Sequence, residues 1–485
     1  MATVSVQAKS ASSTFTEERQ APLKLRLSEI ISTLSYALDL TEGQPMGHSV
    51  RSCILGMRIA DEIGLTTERK SNLYYSLLLK DAGCSSNASR MYSIFESDDL
   101  RAKRDSKTTD WTRVTWESLQ YALRHVRSGR SWRERVAGVL KVAWRHKRDS
   151  RELVQIRCER GAMIARRIGL PEETAAAIHS LDEHWNGQGY PDGLQAEEIP
   201  LLARIMNLSQ TLEVFSARRG PKAAIQVTAE RNKRWFDPQL VRAVHSIAKR
   251  GELWTGLYED DVKERAVSLE PISRFLIANE AAVDNICEAF ADVIDAKSPF
   301  TYQHSTGVAQ AAVTIAQGLD LEQPEVTMIR RAALLHDIGK LAVPNSILEK
   351  PGKPTEQEWA VIRQHPYFTQ QILQRIPGFE ELTYVASVHH ERLDGTGYFQ
   401  GLTARDLTLP ARILCVADVF DALAAKRPYR DALPLETVFR ILRKDAPHAL
   451  DATCVETLAS CLEVTSRPGA WLPPENVMAM AAKVF

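Results

Sequence analysis

Imidazole and carboxylate side chains are concentrated in one part of this 485-residue chain. Five of the 12 histidines lie between residues 304 and 390, less than a fifth of the sequence, and one aspartate follows them. A single histidine on an apolar face is more often a core side chain than a ligand, but this many together favour ligands. The candidate donors are His304, His336, Asp337, His365, His389, His390 and Asp418.

Imidazole plus carboxylate is the donor set that suits Fe, Mn, Zn and similar ions. Seven donors exceed the need of one ion and suit two ions that share a bridging carboxylate. His336 and Asp337 are adjacent, so in a helix their side chains point about 100° apart, and a cluster at the helix end could use both. With Asp337 as the bridge, two ions would polarise a phosphoryl oxygen and lower the pKa of a shared water.

Basic side chains near this cluster could hold a phosphate oxygen. Lys340 lies one helical turn beyond the His-Asp pair, and Lys426, Arg427 and Arg430 follow the last donor. For each of those three, an exposed basic turn around Pro428 explains the sequence about equally well.

The elements that must position these residues are helices. Apolar residues recur at three- and four-residue spacing, as in Val308, Ala311, Ala312 and Ile315, whereas alternating patterns are scarce. The sequence therefore predicts an all-α protein.

One helical unit occurs twice. The segment around His48 matches the segment around His304, and in both an aspartate follows 33 residues later, at Asp81 and Asp337. A Gly-Tyr loop also recurs, and a matching position lies 21 residues after its second glycine in each copy. We expect a tandem duplication of one helical bundle.

The first copy has a surplus of 48 residues with a distinctive charge. Residues 101–160 hold 17 Lys+Arg against 7 Asp+Glu, although the whole chain has 61 of each and no net charge. An amphipathic helical insertion with a solvated basic face is the favoured reading, and a phosphate-rich partner is the alternative. A chain without net charge is not expected to bind nucleic acid.

The predicted layout is a tail over 1–22, a first copy over 23–260 with the insertion at about 101–148, a connector over 261–279 and a second copy over 280–485. The tail has no signal-peptide core and no segment is apolar enough to span a membrane. The cysteines never approach a CxxC spacing. A cytoplasmic location is expected.

The motifs HDIGK, HPYF, HHERLDGTGYF and VADVFDAL, in this order, resemble the HD-GYP family of HD-superfamily phosphodiesterases. The resemblance covers residues 280 to about 465. It implies an HD-superfamily helical bundle that hydrolyses cyclic di-GMP to pGpG, and in some members to GMP, at a binuclear or trinuclear metal centre. Phe300 stands where trinuclear members have a glutamate ligand, so two ions, Fe or Mn, are expected.

The resemblance also assigns roles. One ion would bind His304, His336, Asp337 and Asp418, and the other Asp337, His365, His389 and His390. The catalytic residues would be Asp337, Lys340 and Asp421, and substrate would contact Lys340, Gly397, Tyr398, Arg427 and Arg430.

Two residues depart from the family pattern. Phe399 replaces the proline of the GYP motif, and Thr369 replaces the glycine of HPxxG. Because the proline supplies rigidity and no ligand, we expect altered substrate gating or partner docking more than loss of chemistry.

The first copy has kept only three of the seven donors. It keeps Gly189, Tyr190 and Pro191, but Cys84 replaces the lysine of HDIGK. The seven donor positions read His48, Lys80, Asp81, Arg157, Leu181, Asp182 and Gln210. Three donors make a metal site there improbable. This copy is expected to support or regulate the second one.

Two other functions stay open at this stage. One is a non-catalytic scaffold that binds a cyclic dinucleotide or a protein through the GYP-like loops or the basic insertion, and the other is an HD phosphohydrolase of another nucleotide. A homodimer is also left open.

Overall fold

The computed structural model describes residues 25–110, 116–126, 131–271, 278–299, 301, 303–426 and 431–465. These residues form helices joined by loops, with three isolated β-bridges and no strand among them. The prediction of an all-α fold is confirmed. Within the described residues, no helix is both long and apolar enough to span a membrane.

The first part of the chain contributes twelve described helices. They are α1 (Leu27–Thr41), α2 (His48–Glu62), α3 (Thr67–Leu79), α4 (Ala88–Phe95), α5 (Asp99–Ser106), α6 (Trp116–His125), α7 (Trp132–Arg167), α8 (Glu172–His179), α9 (Leu201–Arg219), α10 (Pro221–Glu230), α11 (Pro238–Lys249) and α12 (Val262–Ser268). The described part of the basic insertion is mainly helical, and it shares with α4 a small core that contains Phe95 and Tyr121.

The second part contributes ten. They are α13 (Glu280–Asp295), α14 (His304–Gly318), α15 (Gln323–Leu335), α16 (Asn345–Leu348), α17 (Glu356–Ile362), α18 (His365–Leu373), α19 (Glu380–Ser387), α20 (Leu409–Ala424), α21 (Leu435–Asp445) and α22 (Ala452–Thr465), with a 3₁₀ segment at Ile338–Ala342.

The duplication is visible in the packing. In the second copy α14 packs between α15 and α20, and in the first copy α2 packs in the same way between α3 and α9. One continuous apolar core runs through both copies. Helix α1 joins them, because it packs on its own bundle and also on α18 and the 3₁₀ segment of the second copy.

The 3₁₀ segment and α18 approach each other very closely. A Cβ on Gly339 would lie 1.9 Å from the carbonyl oxygen of His365, so only glycine fits there. The hydroxyl of Thr369, which is fully buried, donates to the carbonyl of His336 at 2.8 Å and accepts from the N–H of Gly339 at 3.1 Å. The residue that departs from HPxxG therefore ties two donor-bearing segments together.

Thr369→Val is expected to lower the free energy of unfolding by about 1 to 3 kcal/mol, because two buried backbone groups lose their partner. Chemical denaturation measures the loss. The control is Thr314→Val, whose hydroxyl only donates to the carbonyl of Gln310 on the surface of α14. Equal stability of the two variants would contradict the assigned role.

Candidate metal centre

The seven predicted donors converge at helix ends. His304 and His365 are the first residues of α14 and α18, His336 follows the last residue of α15, and the adjacent histidines follow α19. Asp418 lies within α20. All seven are buried except His390, whose side chain is one quarter exposed. The helix-end position inferred from the adjacency of His336 and Asp337 matches the structure.

Three of the histidines are oriented by the backbone. The Nδ1 atom of each lies 2.7 to 2.8 Å from the carbonyl oxygen three residues earlier, and the pairs are His336 with Ala333, His365 with Ile362, and His389 with Ala386. Since a carbonyl only accepts, each Nδ1 carries the proton and each Nε2 presents a lone pair. The lone pairs face the centre of the cluster.

These lone pairs have no protons between them. The Nε2 atoms of His365 and His389 are 3.1 Å apart, and Oδ1 of Asp337 lies 3.3 and 3.7 Å from them. Burial holds the pKa of both histidines well below the ordinary value, which favours the neutral rings without a proton on Nε2. Nε2 of His336 and Oδ1 of Asp337 are buried without a hydrogen-bond partner in the described structure. An arrangement of acceptors alone fits a bound cation.

The two oxygens of Asp337 face two groups of donors. Oδ1 faces His365 and His389, whereas Oδ2 lies 3.4 Å from Nε2 of His336 and 3.7 Å from Nε2 of His304. The donor atoms of each group lie within 4.8 Å of one another; the groups are His365, His389 and His390, and His304, His336 and Asp418. This geometry suits a carboxylate that bridges two ions.

Asp421 orients His304. Its Oδ2 lies 2.7 Å from Nδ1 of the imidazole, and Nε2 on the other side lies 3.1 Å from Asp418. Burial disfavours the charged ring, but the hydrogen bonds to both carboxylates outweigh burial and raise the pKa of His304 to about 10. The site therefore attracts positive charge here too. Asp421 acts from outside the donor cluster, as carboxylates behind metal-binding histidines do.

The other predicted site residues have different positions. Nζ of Lys340 lies 2.5 Å from Oδ2 of Asp337 and is partly exposed at the edge of the cluster. The ring of Tyr398 stacks on His390 with centroids 4.6 Å apart. Gly397 packs closely on the backbone of Glu391, where a Cβ would meet atoms at 2.5 Å. Arg427, Arg430 and Phe300 lie outside the described residues.

Sequence reasoning missed Glu391. This buried carboxylate accepts hydrogen bonds from the backbone N–H groups of Gln400, Gly401 and Leu402, at 2.6 to 3.2 Å. It therefore fixes the loop that carries the GYF motif. Its counterpart Glu183 binds the matching loop of the first copy in the same way, and that recurrence beside the Gly-Tyr motif was the available signal.

The first copy fills its matching centre with ammonium groups. Nζ of Lys80 pairs with Oδ2 of Asp81, and Nζ of Lys107 lies 3.2 Å from Oδ1 of the same carboxylate. Lys107 comes from the insertion and also binds Glu42 at 3.0 Å. Burial would raise the pKa of Asp81, but Lys107 and Lys80 outweigh it and hold the pKa well below the ordinary value. Asp81 thus joins two ammonium groups where Asp337 faces two donor groups.

Arg157 completes the substitution by pairing with Asp182. The carboxylate of Asp182 is therefore engaged by a guanidinium at a position where the second copy has His390. His48 keeps its outer carboxylate, since its Nδ1 contacts Glu213, the counterpart of Asp421. The first copy retains the frame of the centre and lines it with the cationic side chains of Lys80, Lys107 and Arg157.

A family model described as HD domain matches residues 135–240 and 288–454, more than half of the chain, in one segment of each copy. The chain belongs to the HD-domain family. Two relatives of this HD-domain protein agree with the HD-GYP resemblance.

The first is a 3'3'-cGAMP-specific phosphodiesterase 3 of Vibrio cholerae, 40% identical over 92% of this chain and 97% of the relative. The second is the cyclic di-GMP phosphodiesterase response regulator RpfG of Xanthomonas campestris, 36% identical over 41% of this chain and 53% of the relative.

A solved structure extends the match to three dimensions. The crystal structure of a cyclic GMP-AMP specific phosphodiesterase from V. cholerae is 37% identical, with a TM-score of 0.63, and the alignment covers 93% of this HD-domain chain and 99% of that one. The predicted HD-GYP family and the enzyme class, a cyclic dinucleotide phosphodiesterase, are confirmed. HD-domain phosphodiesterases depend on metal, which agrees with the donor groups.

Asp337→Asn is expected to remove bound metal, because the bridging oxygens lose their charge. Elemental analysis after reconstitution with Mn or Fe measures the content. The matched control is Asp81→Asn in the first copy, which should keep the wild-type metal content, with thermal unfolding recorded for both. Full metal content in Asp337→Asn would refute the bridging role.

Lys107→Met is expected to destabilise the protein by about 3 to 5 kcal/mol, because it leaves Asp81 and Glu42 buried with an unmatched charge. Denaturant unfolding gives the value. The control is Lys70→Met, which removes a surface pair with Asp61 and should cost about 1 kcal/mol or less. Similar losses in the two variants would show that Lys107 does not compensate the buried charge of Asp81 and Glu42.

Proposed function

We propose that this protein hydrolyses 3'3'-linked cyclic dinucleotides at a binuclear Fe or Mn centre in its second copy, and that the first copy supports that centre. The observation that carries the proposal is the convergence of the seven donors, in which His336, His365 and His389 turn their Nε2 lone pairs toward the central carboxylate of Asp337. A scaffold that only bound nucleotide would not need this arrangement, which is why the non-catalytic alternative is disfavoured.

The first candidate substrate is 3'3'-cGAMP. The relative that matches almost the full length, both copies included, carries that specificity in its name. Cyclic di-GMP, the expected substrate from the motifs, is the second candidate, because the relative named for it matches a shorter region.

The chain's own residues set up the phosphate site. Bound ions would supply Lewis acidity toward the phosphoryl group and lower the pKa of a coordinated water. Lys340, which pairs with Asp337 and is partly exposed, can neutralise charge that develops on a non-bridging phosphate oxygen. Asp421 holds the His304 ring so that its Nε2 atom is directed at the centre.

A buried polar contact links the first copy to the segments that carry these donors. Oδ1 of Asp99, at the start of α5, accepts the N–H of Asn345 at 2.7 Å, and Oδ2 lies 3.8 Å from Nζ of Lys297. The side chain of Asn345 in turn donates to the carbonyl of Lys297 at 2.8 Å. Lys297 precedes His304 by seven residues, and Asn345 follows the 3₁₀ segment after Asp337. Asp99 therefore contacts both the segment before His304 and the segment after Asp337.

The substrate is tested by steady-state hydrolysis of 3'3'-cGAMP and cyclic di-GMP by metal-reconstituted protein, with products separated by chromatography. Wild type should cleave at least one, with 3'3'-cGAMP favoured, and Asp337→Asn should cleave neither. The matched first-copy variant Asp81→Asn should keep activity. Metal-loaded wild type without turnover of either substrate would sink the proposal.

Asp99→Asn is expected to lower kcat and thermal stability, because Lys297 keeps its buried charge and loses the opposing one. Kinetics, unfolding and metal content should be measured together. The control is the neighbouring Asp98→Asn, whose carboxylate caps α5 by accepting the backbone N–H of Arg101 and pairs with the exposed guanidinium of the same residue. If Asp99→Asn behaves like this control, the bracing role is wrong.

A further inference from the structure

An aromatic and cationic rim lies beside the second donor group. Tyr367 follows His365 by two residues and is 45% exposed, and its ring centroid lies 6.2 Å from that of Phe399. Tyr398, next to Phe399, stacks on His390. We infer that Tyr367 and Phe399 form a subsite on which a purine base of the substrate stacks, with the Arg363 guanidinium beside it for the adjoining phosphate. This inference rests on the proposed function.

Phe399 has a backbone conformation that disfavours its own side chain. Its φ is +100°, in the left-handed region that non-glycine residues seldom adopt. Strain of this kind persists where the surroundings impose it. Here the next three residues are held by the buried carboxylate of Glu391. The loop therefore holds the backbone of Phe399 in this conformation.

Core packing does not account for this phenylalanine. Neither it nor Tyr367 belongs to the apolar core clusters of the described residues, and Phe399 is partly exposed. Exposed rings held near a reaction centre are suited to stacking on the flat face of a base, which every purine offers.

Arg363 supplies the positive charge of the rim. Its guanidinium lies 5.7 Å from the ring centroid of Tyr398 and 5.8 Å from that of Trp359. Its side chain is exposed, and no carboxylate pairs with it in the described part of the chain. A guanidinium that lies near two rings and has no carboxylate partner is suited to bind a phosphate or the edge of a base. The donors, Lys340 and this rim would then contact different parts of one dinucleotide.

The test uses metal-reconstituted protein and a cyclic dinucleotide that carries 2-aminopurine in place of adenine. Stopped-flow fluorescence should show rapid quenching before turnover in wild type, because a stacked 2-aminopurine is quenched. Phe399→Leu keeps apolar bulk and removes the ring face. We expect this variant to lose most of the quenching and to raise KM for 3'3'-cGAMP about tenfold, with kcat nearly unchanged.

Two matched variants separate stacking from general disturbance. Phe399→Tyr should retain wild-type quenching and KM, and so should Trp116→Leu, which removes a 68% exposed ring from the insertion. Wild-type quenching and KM in Phe399→Leu would overturn the subsite, and so would wild-type protein that shows no quenching. Wild type that quenches without hydrolysing would sink the proposed function and leave the subsite standing.

Discussion

The structure of the second copy depends on one electrostatic constraint, the convergence of imidazole and carboxylate lone pairs in a buried space. Acceptors at 3.1 to 3.9 Å from one another repel unless positive charge lies between them. Both copies obey this constraint and meet it differently. The second turns the Nε2 lone pairs of His336, His365 and His389 inward, where they suit ions. The first places the ammonium groups of Lys80 and Lys107 on its central carboxylate. In the first copy, positive charge on the central carboxylate thus comes from side chains of the chain itself.

The inward direction of the donors follows from where the helices begin and end. Residues just after a helix have carbonyls three positions back that lack a helical partner, and these accept the Nδ1 protons of His336 and His389. The same carbonyls give the C-terminal end of a helix a partial negative charge, which favours a cation nearby. The close contact of Gly339 with the backbone of His365 then brings the helix ends together. Histidines placed within helices would lack this orientation.

Much of the fold and of the candidate metal centre could be predicted from the sequence. Spacing alone predicted the duplication, the seven candidate donors and the all-α class, because donor type and helical period are local properties of the chain. The sequence could not identify Lys107 as a partner of Asp81. Lys107 lies in the insertion, which has no counterpart in the second copy with which it could be aligned. Sequence reasoning also missed Glu391, because a carboxylate that binds backbone N–H groups has no side-chain partner to recognise. The brace between Asp99 and Asn345 joins residues 246 positions apart, and only the folded chain shows it.

The two GYP-like loops show which residue holds the loop in place. The first copy keeps its proline, Pro191, and three of the seven donors, whereas the second has Phe399 and all seven. Both loops are nevertheless fixed by a buried glutamate at the same relative position, Glu183 or Glu391. If the glutamate fixes the loop, the proline is not required to hold it. Position 399 of the second copy can then carry a side chain with a different role. A strained, partly exposed phenylalanine beside the donors is then better explained by contact with substrate than by support of the loop.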